Sequence, residues 1–104
     1  MDVLLVAGEG ARDAVFDGTK RISIRSGHRN YKVGGRLILC CHILNWATMK
    51  TIKSVKWTTL ADVTPIEYRD DGFSTWTDLR DGLRKFYPEI TDNSPVTIIR
   101  WGEI

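Results

Sequence analysis

The stretch 36–44 constrains the fold most. Leu37 to Leu44 is apolar apart from His42, and Gly34 and Gly35 precede it. Such a run has strand length, and its side chains are apolar on both alternating faces. That pattern belongs to a central strand covered on both sides. The run is far too short to span a bilayer.

Around this strand the chain alternates short apolar runs with breakers. Residues 2–7, with Val3, Leu4, Leu5 and Val6, read as a buried strand. Residues 9–17 read as a short helix with Ala11, Ala14 and Val15 on one face, stopped by Gly18. Residues 20–25 read as a strand with Ile22 and Ile24 on one side and Arg21, Ser23 and Arg25 on the other. A polar, glycine-containing loop fills 26–35, and 45–47 reads as a turn. Residues 49–58 read as a strand whose Lys50, Lys53 and Lys56 bias one side toward solvent.

Residues 59–72 read as loop with a helical turn near Leu60, and Pro65 is expected to prevent a longer helix there. The clearest helix spans 75–86. Trp76, Leu79, Leu83 and Phe86 recur at helical spacing, Ser74 or Thr75 can cap it, and Tyr87-Pro88 stops it. Residues 95–101 read as the closing strand. Strand, helix, several strands, helix, strand is an α+β order: a mixed sheet or small barrel with helices at its rim.

The 104 residues suit one domain spanning 1–104, large enough to bury its own core. The start of the chain lacks the pattern of a secretory leader. Cys40 and Cys41 are adjacent, and neighbours in a strand face apart, so no bridge joins them. Reduced thiols point to the cytoplasm. No P-loop, dinucleotide fingerprint or metal-ligand cluster is present, so no cofactor is expected.

Charge is unevenly placed. Residues 18–61 carry nine Lys and Arg and no Asp or Glu, within a chain whose net charge is only +2. A basic centre suits an anionic partner such as phosphate. The same bases could instead pair with the acidic flanks once folded.

Within that basic centre, Gly18-Thr19-Lys20-Arg21-Ile22-Ser23-Ile24-Arg25 fits G-x-K-x-x-x-x-R at a helix-to-strand junction. After it come Tyr31-Lys32-Val33-Gly34, the apolar strand, a lysine-rich strand, Asp71-Gly72-Phe73, a helix ending in Tyr87-Pro88, and Val96-Thr97-Ile98-Ile99-Arg100-Trp101. This ordered set resembles the ASCH family of the PUA-like superfamily from end to end.

The resemblance implies a small β-barrel whose cleft is lined by the motif's Lys and Arg, and an association with RNA. One branch of the family hydrolyses N4-acetylcytidine to cytidine and acetate with a Lys, a Thr and a Glu. Carried over, the Lys falls on Lys20, the Thr on Ser23 and the motif Arg on Arg25. The Glu falls on Gly72 by direct count. Asp71, one residue earlier, or Glu67 upstream could stand in. Gly35 also departs from the family, which has Asp there.

Read as chemistry, Ser23 could attack an acyl carbon and Lys20 could take its proton, helped by the repulsion of Arg21 and Arg25. Arg25 could hold the oxyanion, and Asp71 or Glu67 could protonate the leaving amine. Strict alternation puts Lys20 on the opposite face from Ser23, so Lys20 must precede the regular strand or sit at a bulge.

As ordinary structure, these groups would be a solvated strand start, an outward serine and a turn aspartate. Arg21, Arg25, His28 and Arg29 are candidate contacts to substrate or RNA, and Tyr31, Trp46 and Trp57 candidate stacking rings. Trp76 and Trp101 read as core, as does His42. Three activities stay open: a hydrolase of N4-acylated cytidine, a non-catalytic RNA-binding module, and a ribonuclease using Lys20 and His28.

Overall fold

The computed structural model describes residues 1–6, 8, 10–41 and 43–103. Ala7, Glu9, His42 and Ile104 lie outside them, and with them the expected end of the first strand, the expected start of the first helix and the core placement expected of His42. The chain runs β1 (Asp2–Leu5), α1 (Ala11–Asp17), β2 (Ile22–Ser26), β3 (Arg36–Cys41), β4 (Trp46–Thr59), a single 3-10 turn (Leu60–Asp62), α2 (Pro65–Asp70), α3 (Trp76–Arg84) and β5 (Pro95–Gly102).

The five strands form one mixed sheet in the order β1-β3-β4-β5-β2. β1 runs parallel to β3 and every other pair is antiparallel. This is the α+β arrangement expected from the element order, built as a half-barrel. The edge strands β1 and β2 stand at opposite ends of the strand order, yet the Arg25 guanidinium on β2 donates to the Leu5 carbonyl on β1. A side chain, not a strand ladder, therefore spans the open seam.

β5 organises the interior. Val96 and Ile98 on one face join Ile22, Ile24, Leu60, Leu79 and Leu83 in one core. Ile99 and Trp101 on the other face join Leu4, Val15, Leu37, Leu39 and Ile52 in a second. β4 is the middle strand of the sheet; β3, expected at the centre, and β5 flank it, each one place from an edge, and Leu37 and Leu39 of β3 are fully buried. Truncating either leucine to Ala would cost about 2–5 kcal/mol.

Three local expectations change. Pro65 opens a helix instead of preventing one. It sits in the first turn of α2, where its missing N–H has no partner to lose, behind a capping box made by Thr64 and Glu67. Lys50 is buried on the inner face of β4 and pairs with Glu103, while Lys53 and Lys56 face out. Lysines three apart cannot share one face of a strand with a period of two, and a bulge between Ile52 and Ser54 shifts the register further. Phe86 lies beyond the end of α3 and is 66% exposed, off the apolar face formed by Leu79 and Leu83. Trp76 and Trp101 pack as expected, and the Trp76 indole N–H donates to Leu60 O at 2.9 Å.

Candidate functional site

Lys20 is delivered by a tight exit from α1. Gly18 takes φ 85°, a left-handed conformation a side chain would strain. The Asp17 carboxylate accepts from the Thr19 hydroxyl and backbone N–H, which hold it below its ordinary range. The Lys20 backbone N–H then bonds Ala14 O at 2.9 Å. Lys20 thus precedes β2, which starts at Ile22, and the alternation that would have turned it away from Ser23 does not apply. Both line one pocket.

Asp71 arrives from the opposite side. It caps the C-terminus of α2, followed by Gly72 at φ 94°. Gly72 N–H returns to Arg69 O and Phe73 N–H to Tyr68 O, both at 2.9 Å. This paired closure ends the helix and aims the Asp71 carboxylate inward. Of the two stand-ins for the family Glu, Asp71 is the one brought to Lys20.

The Lys20 ammonium donates to the Asp71 carboxylate and, at 3.0 Å, to Ile22 O. It also lies 5.9 Å from the Trp101 ring centroid. Burial pushes the Asp71 carboxyl above its ordinary range, opposed by the charge and hydrogen bond of Lys20, the charge of Arg25 and the Ile24 backbone N–H. Ser23 is 4% exposed, and its hydroxyl oxygen accepts from Arg25 Nε at 2.8 Å. Among the described residues this is the partner recorded for the Ser23 hydroxyl.

These four groups share a cavity of about 680 Å³ at the barrel seam. α1 and the end of β1 wall one side, β2 another, and the segments around α2 and α3 close it. The volume falls in the range of small-molecule sites. Phe73, Phe86 and Tyr87 supply an aromatic wall that the sequence reading missed.

Other candidates are placed elsewhere. Glu67 is 7% exposed but outside the cavity. Its carboxylate accepts from the Thr64 backbone N–H at 2.8 Å and from Lys56 at 2.9 Å. Burial alone would raise it, but these partners and the Thr64 hydroxyl reverse that, leaving it below its ordinary range. Arg21 is exposed and not part of the cavity wall. Trp46 meets Phe16 edge-on at 5.9 Å, and both it and Tyr31 pack against the second core.

His28, Arg29 and Trp57 make a separate surface cluster. His28 stacks on Trp57 with ring centres 4.6 Å apart and planes 7° from parallel. The Trp57 indole N–H donates to Arg29 O at 2.7 Å, and buried Thr97 pins the loop through Arg29 N and Gly27 O. The Arg29 guanidinium reaches Ser26 O and the Tyr87 hydroxyl. His28 and Lys20 are therefore not brought together. Cys40 and Cys41 are free and half-buried. Among the described residues there is no metal-binding group of three or more His, Cys, Asp or Glu, and no helix long and apolar enough to cross a membrane.

No family model matches the sequence, and no curated protein matches it. Solved structures do. An ASCH domain from Lactobacillus crispatus JV V101 is 13% identical, with 96% of this chain and 77% of that chain aligned and a TM-score of 0.76. An ASCH protein from Zymomonas mobilis is 13% identical, covering 98% and 67%, with a TM-score of 0.69. A protein from Enterococcus faecalis V583 is 13% identical, covering 96% and 77%, with a TM-score of 0.69. At such identity the likeness is one of fold, and the chain has the PUA-like fold of ASCH domains. The resemblance read from the motif order is borne out at that level.

Proposed function

We propose that this chain hydrolyses the amide of an N4-acylated cytidine or a closely related acylated nucleoside. The observation that carries the reading is the convergence of Lys20, Ser23, Arg25 and Asp71, from two separate segments of the chain, on one cavity. In this mechanism Ser23 Oγ attacks the acyl carbon. The serine proton passes to Asp71, whose proton affinity burial has raised. Lys20, bonded to Asp71, protonates the departing ring amine and is restored from it. Arg25 stabilises the charge that develops on oxygen. Cytidine leaves, and water hydrolyses the acyl-serine ester to acetate.

The test is incubation of the protein and a Lys20→Ala variant with N4-acetylcytidine, followed by chromatography of the products. The reading expects cytidine from the parent and a loss of about 10²–10⁴-fold in the variant, the usual worth of a positioned proton donor. A folded parent that releases no cytidine rejects this substrate.

The exposed His28–Trp57 stack beside Arg29 favours a second reading, a non-catalytic RNA-binding surface. That reading expects binding to single-stranded RNA that weakens steeply with salt, as counterions are released. Trp57→Ala would then weaken RNA binding without touching the cavity. The ribonuclease reading loses its proposed pair, since His28 stands outside the cavity that holds Lys20.

A further inference from the structure

Phe86 in the cavity wall is unexplained by core packing, whereas Phe73 of the same wall packs against the first core. Phe86 is 66% exposed, directly past the end of α3, and its backbone N–H bonds Leu83 O at 3.1 Å. A lone exposed aromatic would signify little. A second feature is Gly82, inside α3, where glycine is disfavoured by about 1 kcal/mol relative to alanine. A Cβ there would lie 2.6 Å from Cε1 and 2.9 Å from Cζ of Phe73. The helix has given up a side chain at the place where the Phe73 ring lies. Gly82, Phe73 and Phe86 all line the cavity that holds the polar cluster.

We infer that Phe86 is the specificity-determining residue of this cavity, a ring on which a planar heteroaromatic base stacks, with Phe73 held on Gly82 as the fixed part of the same wall. The inference rests on the nucleoside reading and narrows it: the site selects acyl amides borne on a planar ring over aliphatic amides. A stacked base presents its face to an aromatic side chain and leaves its edge, with the exocyclic amine, for polar groups. Phe86 would act by binding, not by chemistry. It would grip the ring equally before and during reaction, so its loss raises KM and spares kcat.

The test is calorimetric titration of the parent, Phe86→Ala, Phe86→Tyr and Gly82→Ala with cytidine, which needs no turnover. Phe86 is exposed, so Phe86→Ala should unfold at the parent's temperature. The expected result is binding weakened about tenfold or more in Phe86→Ala, retained in Phe86→Tyr, and weakened in Gly82→Ala because the new methyl displaces Phe73. Equal affinity in the parent and Phe86→Ala overturns the inference even if Lys20→Ala abolishes hydrolysis, so the two readings fail separately. A parent that binds none of cytidine, uridine and adenosine also overturns it. Weakened binding in Phe86→Ala supports it even if the parent hydrolyses nothing.

Discussion

Helix α2 carries two lysine–acid pairs only four positions apart, and they differ in almost everything but composition. Asp71, at the helix end, meets Lys20 inside the cavity, with side chains 7% and 15% exposed. Glu67, in the first turn, meets Lys56 at the surface, where the lysine side chain is 50% exposed. Burial drives the Asp71 carboxyl up, whereas a cap and a solvated lysine draw Glu67 down. A lysine–carboxylate pair is thus buried in the cavity in one place and fastens a helix at the surface in the other. The difference comes from which end of the helix the acid occupies and what covers it. A perturbed acid in a cleft is a candidate for chemistry, and a satisfied cap is not.

The contrast can be broken by substitution. The largest effect is expected at Ser23 and Asp71. Ser23→Ala and Asp71→Asn should each cut turnover of N4-acetylcytidine by at least about 100-fold. If Ser23→Ala keeps the parent rate, an acyl-serine step is wrong and water must attack directly.

A smaller effect, on stability alone, is expected at Glu67. Glu67→Ala should lose about 1 kcal/mol through the broken capping box, read as a lower midpoint in urea, with kcat unchanged. Smaller again is Lys56→Ala, worth about 0–1 kcal/mol as a surface pair.

The pH dependence has opposite signs at the two acids. Glu67, lowered from 4.5, contributes stability that is present above that value and lost as pH falls through its folded value. Asp71, raised from 3.8, contributes stability that is present below that value and lost as pH rises through its folded value. Urea midpoints measured across the acid range should therefore flatten in Glu67→Gln and steepen in Asp71→Asn. The same slope in both variants would remove the contrast.

Much of this was legible in the residues. The helix at Trp76, Leu79 and Leu83 followed from spacing, the stop at Gly18 from its conformational freedom, and the strands from runs of apolar residues between breakers. The Gly18 to Arg25 motif pointed to Lys20, Ser23 and Arg25 together. α2 was missed although Thr64-Pro65-Ile66-Glu67 spells a capping box with proline at the first helical position. Reading that signal would also have marked Glu67 as a cap before any thought of catalysis.

The aromatic wall was less accessible. Phe86 stands at the spacing of a core residue, and only the end of α3 at Arg84 frees it. Gly82 looked like a tolerated blemish in a helix, because nothing local announces that the Phe73 ring lies across it. Arg25 reaching Leu5 O depends on how far the sheet curls, which no local pattern encodes. The basic run 18–61 showed where charge is dense but not where it goes: Lys50 and Lys56 are taken up by Glu103 and Glu67, while Lys20 turns inward.

Asp71, not Glu67, is the acid of the proposed site. Turnover of N4-acetylcytidine by the parent, Asp71→Asn and Glu67→Gln, measured side by side at a pH where all three are folded, tests it. The predicted result is cytidine release by the parent and by Glu67→Gln at similar rates, with Asp71→Asn slower by about 100-fold or more. Release by Asp71→Asn at the parent's rate, or its loss in Glu67→Gln alone, would contradict it.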